Sequence, residues 1–223
     1  MLFHSTRGND SGKDFATILM QGLAADGGLF MPDHWPQVDL EEIKSKTSFV
    51  DVAKCIVPLF TASSFSEDET IKIIEDTWHD FEHQDLIGIK TFNNISILEL
   101  FHGPTAAFKD FGLQLAAAFF NQVLESENKT AIVLGATSGD TGPAAIDACK
   151  GFERIKSFIM LPNGNMSEVQ RRQMSTIDAK NIFALRINGT FDDCQDLVKH
   201  AFKQRDFLNS DQYLLAVNSI NWT

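Results

Sequence analysis

The chain has 223 residues, with 30 acidic against 19 basic side chains, a formal net charge of −11 and 43% hydrophobic residues. This composition is typical of a globular protein with one domain or two small ones. The acidity argues against a nucleic-acid-binding protein, because phosphate contacts need clustered Lys and Arg.

The sequence also predicts where the protein resides. Its first residues lack the basic-then-apolar order of a signal peptide, and no apolar run approaches the ~20 residues that a membrane span needs. The 3 cysteines are an odd number, and their spacing is not that of metal ligands. We therefore expect a cytoplasmic protein in a reducing compartment, without a membrane or nucleic-acid partner and without a metal.

The N-terminal part of the chain is predicted to be mainly helical. A glycine-rich break at Gly27-Gly28 leads into a short extended segment. From Ser66 to His83 the pattern predicts an amphipathic helix, which Ser66 and Glu69 begin as a capping box. Its apolar residues recur at spacings of three and four: Ile71, Ile74, Trp78 and Phe81. His79 and His83 lie four apart there without a third ligand, so they do not indicate a metal site.

Short β-rich runs alternate with helical stretches in the rest of the chain. The predicted strands are 95–101, 130–134, 155–161, 182–187 and 213–217, and the predicted helices are 107–124, 141–150, 167–176 and 192–205. Apolar strands separated by helices predict an α/β fold, a parallel sheet with helices on both faces. The composition changes near 85–94, so we predict a helical region at 1–93 and an α/β domain at 94–223. The first region holds 7 basic and 16 acidic side chains and the second 12 and 14, which favours an anionic ligand in the second.

A glycine-rich loop, Gly-Ala-Thr-Ser-Gly-Asp-Thr-Gly at 135–142, follows a predicted strand and begins a helix. Free backbone N–H groups at a helix N-terminus favour a carboxylate or a phosphate. The glycine spacing is neither that of a Walker loop nor the GxGxxG of dinucleotide-binding folds. The alternative is a tight turn in which Asp140 or Thr141 is an ordinary N-cap.

Lys109 is predicted to lie at the start of an otherwise apolar helix. A cation at this end opposes the helix dipole, and burial penalises the ammonium form. Both effects favour the neutral amine, the form that attacks a carbonyl to make a Schiff base. The alternative is a lysine that reaches solvent and pairs with Asp110.

Two segments resemble those of a known family. The run His-Gly-Pro-Thr-Ala-Ala-Phe-Lys-Asp-Phe-Gly at 102–112 resembles the cofactor-lysine segment of threonine synthases, and 135–142 resembles their GATSGDTG loop. Further agreements lie at 27–32, 167–174, 191–199 and 218–221, so the resemblance covers essentially the whole chain. It implies a pyridoxal-phosphate enzyme of the second fold type, which converts O-phospho-L-homoserine and water into L-threonine and phosphate.

The resemblance also implies roles for individual residues. Lys109 would hold the cofactor covalently and, once displaced, move protons on the substrate. Asp140 stands where related enzymes carry an Asn that faces the cofactor's 3′-oxygen, and an Asp could donate a hydrogen bond there only if it keeps a proton. The substrate carboxylate would be held by the loop residues Thr137, Ser138, Gly139 and Thr141.

One part of the family pattern is missing from the sequence. Threonine synthases hold the cofactor phosphate with a glycine-rich loop downstream of the segment at 218–221, and this chain ends before it. We therefore expect the α/β domain to be truncated. Two other interpretations remain open: a threonine-synthase-like phospholyase, which eliminates phosphate without retaining water, and a catalytically silent domain.

Overall fold

The computed structural model describes residues 1–164 and 166–217. The chain divides into two compact units, Met1–Gly103 and the residues from Pro104 onwards. The domain boundary predicted at residue 94 stays a prediction. Within the described ranges, none of the helices combines the length and the apolar character that crossing a membrane requires.

The first unit contains more strands than the sequence predicted. Its helices are α1 (Phe15–Gln21), α2 (Leu40–Ser45), α3 (Phe49–Thr61) and α4 (Glu67–Asp76), and its strands are β1 (Phe3–Ser5), β2 (Ser11–Lys13), β3 (Phe30–Pro32), β4 (Gly88–Phe92) and β5 (Ile95–Glu99). The strands form a three-stranded sheet, in the order β2-β1-β3, and a separate β4–β5 hairpin. Both sheets are antiparallel.

The strand predicted at 95–101 is real, but it belongs to this hairpin and not to the parallel sheet. Phe92 pairs with Ile95, so the connecting loop consists of Asn93 and Asn94 alone. Asn93 has φ +53°, a left-handed conformation that Asn tolerates and that tight hairpins need. The turn therefore folds the strand back on its predecessor.

The capping box predicted at the start of α4 is confirmed. The Ser66 hydroxyl accepts from the Glu69 backbone N–H, and the Glu69 carboxylate accepts from the Ser66 backbone N–H at 2.8 Å. The helix ends at Asp76 rather than near His83, because the backbone turns left-handed at Trp78, with φ +58°. His79 and His83 therefore do not share a helix face.

The second unit has the alternation of strands and helices that the sequence predicted. Its helices are α5 (Lys109–Ser126), α6 (Thr141–Cys149), α7 (Glu168–Ser175) and α8 (Phe191–Lys203), and its strands are β6 (Thr130–Ala136), β7 (Ile155–Pro162), β8 (Ile182–Ile187) and β9 (Gln212–Ala216). The strands form a parallel sheet in the order β8-β7-β6-β9. Its core includes Val133, Ile159 and Leu215, all at most 3% exposed. The predicted α/β fold is confirmed.

The strand order of the parallel sheet indicates where a ligand would bind. From β6 the chain adds β7 and β8 in one direction and then returns to add β9 on the other side of β6. Right-handed crossovers put α6 and α7 on one face of the sheet and α8 on the other. Open α/β sheets bind ligands beyond the carboxyl ends of their strands, at the point where the strand order reverses. That point lies between β6 and β9, and the glycine-rich loop directly follows β6.

Candidate functional site

Lys109 and Asp140, which the sequence assigned to the cofactor, lie close together in the structure. The Lys109 side chain begins α5 and is only 16% exposed, and its Nζ lies 3.9 Å from Oδ2 of Asp140. The same Nζ lies 4.5 Å from the centroid of the Phe108 ring. Lys109 therefore pairs with Asp140, not with Asp110 as the alternative interpretation held.

Asp110 fixes the turn that precedes Lys109. Its carboxylate accepts from the Thr105 hydroxyl at 2.6 Å, from the Thr105 backbone N–H at 3.0 Å and from the Ala107 backbone N–H at 3.5 Å. Asp110 is completely buried, and this burial raises the pKa of its carboxyl above the usual range. Ala106, between the two donor residues, has φ +57°. The carboxylate thus secures a left-handed turn and sets where α5 begins.

Thr137 holds the glycine-rich loop in shape. The residue is 3% exposed, and its hydroxyl accepts from the backbone N–H groups of Gly139, at 3.3 Å, and Gly142, at 3.0 Å. The same hydroxyl donates to the Gly139 carbonyl at 3.1 Å. Thr137 therefore supplies the bond to the first turn of α6 that an N-cap side chain would make, whereas Asp140, at the N-cap position, makes no such bond to the described helix.

The same loop leaves backbone donors free. Among residues 1–164 and 166–217, no acceptor is found for the backbone N–H groups of Ser138, Asp140 and Thr141. These groups lie at the N-terminus of α6, where the helix dipole also favours negative charge. The loop can therefore bind a small anion such as a carboxylate, close to the Lys109 amine.

Two glutamines of α7, in the segment 167–174 that resembles the family, contact both loops, although the sequence assigned them no role in the site. Gln170 donates from Nε2 to Oδ1 of Asp140 at 2.5 Å. Gln173 donates from Nε2 to the Thr105 carbonyl at 3.0 Å. Their spacing of three residues, which puts both on one helix face, was the available signal.

Two arginines of α7 are engaged within the helix. Arg171 and Arg172 both bind the Glu168 carboxylate, with shortest N–O distances of 2.6 and 2.8 Å. These ion pairs hold the pKa of Glu168 at about 2, below its usual 4.5. Both guanidinium groups therefore form ion pairs within α7 and stabilise its first turn.

We expect Glu168→Gln to lower Tm at neutral pH. Because the pKa of Glu168 is lower in the folded than in the unfolded chain, its carboxylate stabilises the fold fully above pH 4.5, and this contribution is lost as the pH falls through about 2. The Tm difference should shrink over that window when thermal unfolding of both chains is followed by circular dichroism. Glu153→Gln, at an exposed position with no ion pair among the described residues, is the control. A difference that does not change with pH would contradict the assignment.

Comparisons with known proteins identify the family. The family model described as "Pyridoxal-phosphate dependent enzyme" matches residues 92–223, more than half of the chain. The chain belongs to this pyridoxal-phosphate-dependent enzyme family. A second model, "Threonine synthase N terminus", matches residues 2–78. The resemblance proposed from the sequence is thereby confirmed.

Individual members of this family are similar over the whole chain. A threonine synthase from Pseudomonas aeruginosa is 44% identical over 100% of this chain and 48% of that protein. A protein named threonine synthase-like 2, from Xenopus laevis, is 33% identical over 100% of this chain and 48% of that protein. The crystal structure of PLP-bound threonine synthase from Brucella melitensis superposes with a TM-score of 0.93 at 41% identity, covering 100% of this chain and 48% of that one. The chain thus spans about half the length of these relatives.

The described residues fit the family's cofactor. Pyridoxal phosphate carries an aldehyde, which needs an amine, and it acts on amino acids, whose carboxylate needs donors. Lys109 offers an amine on a side chain that is only 16% exposed, and Asp140, 3.9 Å from that amine, belongs to the loop with the free N–H groups of Ser138, Asp140 and Thr141. Among the described residues, no three His, Cys, Asp or Glu side chains cluster closely enough to hold a metal ion. Of the predicted family segments, 218–221 lies outside the described residues.

Proposed function

We propose that this chain is the lysine-bearing part of a threonine synthase, which converts O-phospho-L-homoserine and water into L-threonine and phosphate. The observation that carries the proposal is the position of the Lys109 amine, 3.9 Å from Asp140 in a loop with free backbone donors. The similarity to threonine synthases over the whole chain supports the choice of substrate.

In this proposal Lys109 has two tasks. Its Nζ would hold the cofactor through the aldehyde carbon, whose oxygen would leave as water, and as a free amine Nζ would take up and return protons at the substrate carbons. Pyridoxal phosphate, when bound, withdraws electrons from the amino-bearing carbon and so makes those protons acidic. The side chain is only 16% exposed, which limits the access of water to it, and the turn held by Asp110 fixes where the residue begins α5.

The glycine-rich loop would bind and orient the substrate. We assign the substrate carboxylate to the backbone N–H groups within 138–141, with the side chains of Ser138 and Thr141 beside it and Gly139 leaving room for it. Thr137 would act through its bonds to the loop backbone, because its hydroxyl is already engaged. Because the backbone donors of the loop already have this arrangement before the substrate binds, binding would cost no reorganisation of the loop.

Asp140 is proposed to face the cofactor's 3′-oxygen, to which it can donate only when protonated. In the structure Nε2 of Gln170 donates to Oδ1 of Asp140, and Nζ of Lys109 lies 3.9 Å from Oδ2 of the same carboxyl group. Both contacts support a position of the Asp140 carboxyl beside the group that Lys109 would hold.

Reductive trapping tests the proposal. The purified chain is mixed with pyridoxal phosphate, its visible absorbance is recorded, and borohydride then fixes the attached cofactor for peptide mapping. We expect an absorbance band and a single modified residue, Lys109, both lost in Lys109→Ala. Lys150→Ala removes a more exposed lysine of the same unit and should leave both intact.

The outcomes separate the candidate functions. Threonine and phosphate formed from O-phospho-L-homoserine would establish the synthase, whereas an oxo acid would indicate the phospholyase. Scattered labelling of surface lysines would favour a catalytically silent domain.

We also place the protein in the cytoplasm. Cys55, Cys149 and Cys194 are all free thiols, and Cys149 and Cys194 are buried. Proteins of reducing compartments keep their cysteines in this form, which supports the location.

A further inference from the structure

Helix α7 connects the two loops of the site through one face. Gln170 and Gln173 lie three residues apart, so their side chains project from the same side of the helix. Gln170 binds Asp140 of the glycine-rich loop, and Gln173 binds the Thr105 carbonyl of the turn before Lys109. No other described helix has side-chain hydrogen bonds to both loops.

The amide of Gln170 is itself held in one orientation. The Ser167 hydroxyl donates to Oε1 of Gln170 at 2.9 Å and accepts from the Gln170 backbone N–H at 3.2 Å. Because Oε1 is occupied by a donor, Nε2 is the atom that faces Asp140. The hydrogen bond to Asp140 therefore begins from a fixed point at the start of α7.

This bond determines how close Asp140 comes to Lys109. Gln170 occupies Oδ1, and the other oxygen, Oδ2, remains 3.9 Å from Nζ of Lys109. A direct charged hydrogen bond would be roughly 2.7–2.9 Å long. The carboxylate is thus near the Lys109 amine but about 1 Å too far from it for a direct hydrogen bond.

Other charged groups of the neighbouring elements are occupied elsewhere. On α5, the Asp110 carboxylate faces Thr105 and Ala107. On α7, Arg171 and Arg172 bind Glu168. Among the described residues, Asp140 carries the carboxylate that lies within 4.0 Å of the Lys109 amine.

We propose that Gln170 is a positioning residue that holds the Asp140 carboxylate short of a direct hydrogen bond with Lys109. Without Gln170, Asp140 would close on the ammonium and stabilise it, which makes the amine less available to a carbonyl compound. Gln173 secures the facing turn, so α7 sets the separation from both sides. The catalytic value of this arrangement rests on the proposed role of Lys109.

The test measures how readily the Lys109 amine is acylated at different pH values, without any cofactor. The full chain and Gln170→Met, whose side chain has similar length but no donor, are acylated with acetic anhydride over a series of pH values, and labelling of Lys109 is quantified by peptide mass spectrometry. The labelling midpoint should rise by roughly half a pH unit in the variant, as expected for one partly exposed ion pair. The rise should vanish when Gln170→Met is combined with Asp140→Asn.

A matched control separates positioning from a general effect of losing an amide. Gln114 also donates from Nε2 to an aspartate, Asp147, at 3.1 Å. Both residues lie in the second unit, as Gln170 and Asp140 do. Gln114→Met should leave the Lys109 midpoint unchanged. Circular dichroism confirms that each variant is folded.

Two results would overturn the proposal: an unchanged midpoint in folded Gln170→Met, or a shift that persists when Asp140 is replaced. If Gln170→Met fails to fold, Gln170→Leu replaces it, since its side chain cannot donate to Asp140, adds no charge and should give a shift in the same direction. Because pyridoxal phosphate is absent, failure of the chain to bind the cofactor would not affect this measurement.

Discussion

Replacing Asp110 with alanine is expected to destabilise the fold by about 3 kcal/mol, the upper range for loss of hydrogen bonds to a buried charged group. The substitution leaves the hydroxyl and backbone N–H of Thr105 and the N–H of Ala107 without their acceptor. The left-handed turn at Ala106 loses its anchor as well. Urea unfolding measures the loss, and reductive trapping at Lys109 should weaken in parallel.

An exposed copy of the same arrangement provides the control. Asp193 accepts from the Thr190 backbone N–H at 2.7 Å and from the Thr190 hydroxyl at 2.8 Å, but in an exposed capping box. Water replaces the lost acceptor there, so Asp193→Ala should destabilise the chain much less and leave trapping at Lys109 unchanged. Equal losses in the two variants would show that burial of Asp110 is not what matters.

Gly142→Ala is expected to cost about 2 kcal/mol, although alanine ordinarily favours a helix over glycine. A methyl group at this position would overlap Cγ2 of Thr137 and come within 2.7 Å of Sδ of Met174. Thr137 cannot simply rotate away, because its hydroxyl secures the loop through Gly139 and Gly142. Accommodating the methyl group therefore breaks the loop's own hydrogen bonds.

Gly139→Ala tests whether the lack of room for a methyl group is what destabilises Gly142→Ala. The nearest atom to an added methyl group there is Nε2 of Gln170 at 3.8 Å, an ordinary contact, and the backbone is not left-handed. This variant should be as stable as the parent chain or slightly more so. Urea unfolding compares the two substitutions, and a Gly142→Ala chain as stable as Gly139→Ala would contradict the packing argument.

Local patterns in the sequence predicted most of the second unit. Each strand from β6 to β9 is an apolar run, and each helix between them begins near a recognisable turn or cap, so the boundaries fall within about two residues of the prediction. The capping box at the start of α4 could also be predicted, because its two members, Ser66 and Glu69, lie three residues apart. The hairpin at 88–99 was not, since its pairing depends on the left-handed turn at Asn93 and not on a periodicity.

The candidate site also has features that the sequence could predict and features that it could not. Parallel strands bring the loops after them to one edge, so the sequence could predict that a ligand site forms at 135–142. The hydrogen bonds from Gln170 to Asp140 and from Gln173 to Thr105 join residues 30 and 68 positions apart, and no spacing rule reaches that far. The roles assigned to Lys109 and to the loop residues stay predictions until the labelling is done.

The strand order of the parallel sheet also has a consequence for how the protein is made. β6 pairs with β9 on one side, joining Thr130 to Gln212. Until the ribosome has released the residues of β9, β6 is an apolar edge strand with a row of unpaired N–H and C=O groups. Closing so long a loop is slow, because its entropy is lost before the pairing repays it. The nascent chain therefore passes through a stage with an open edge, and this is when it is most exposed to mispairing and most in need of a chaperone.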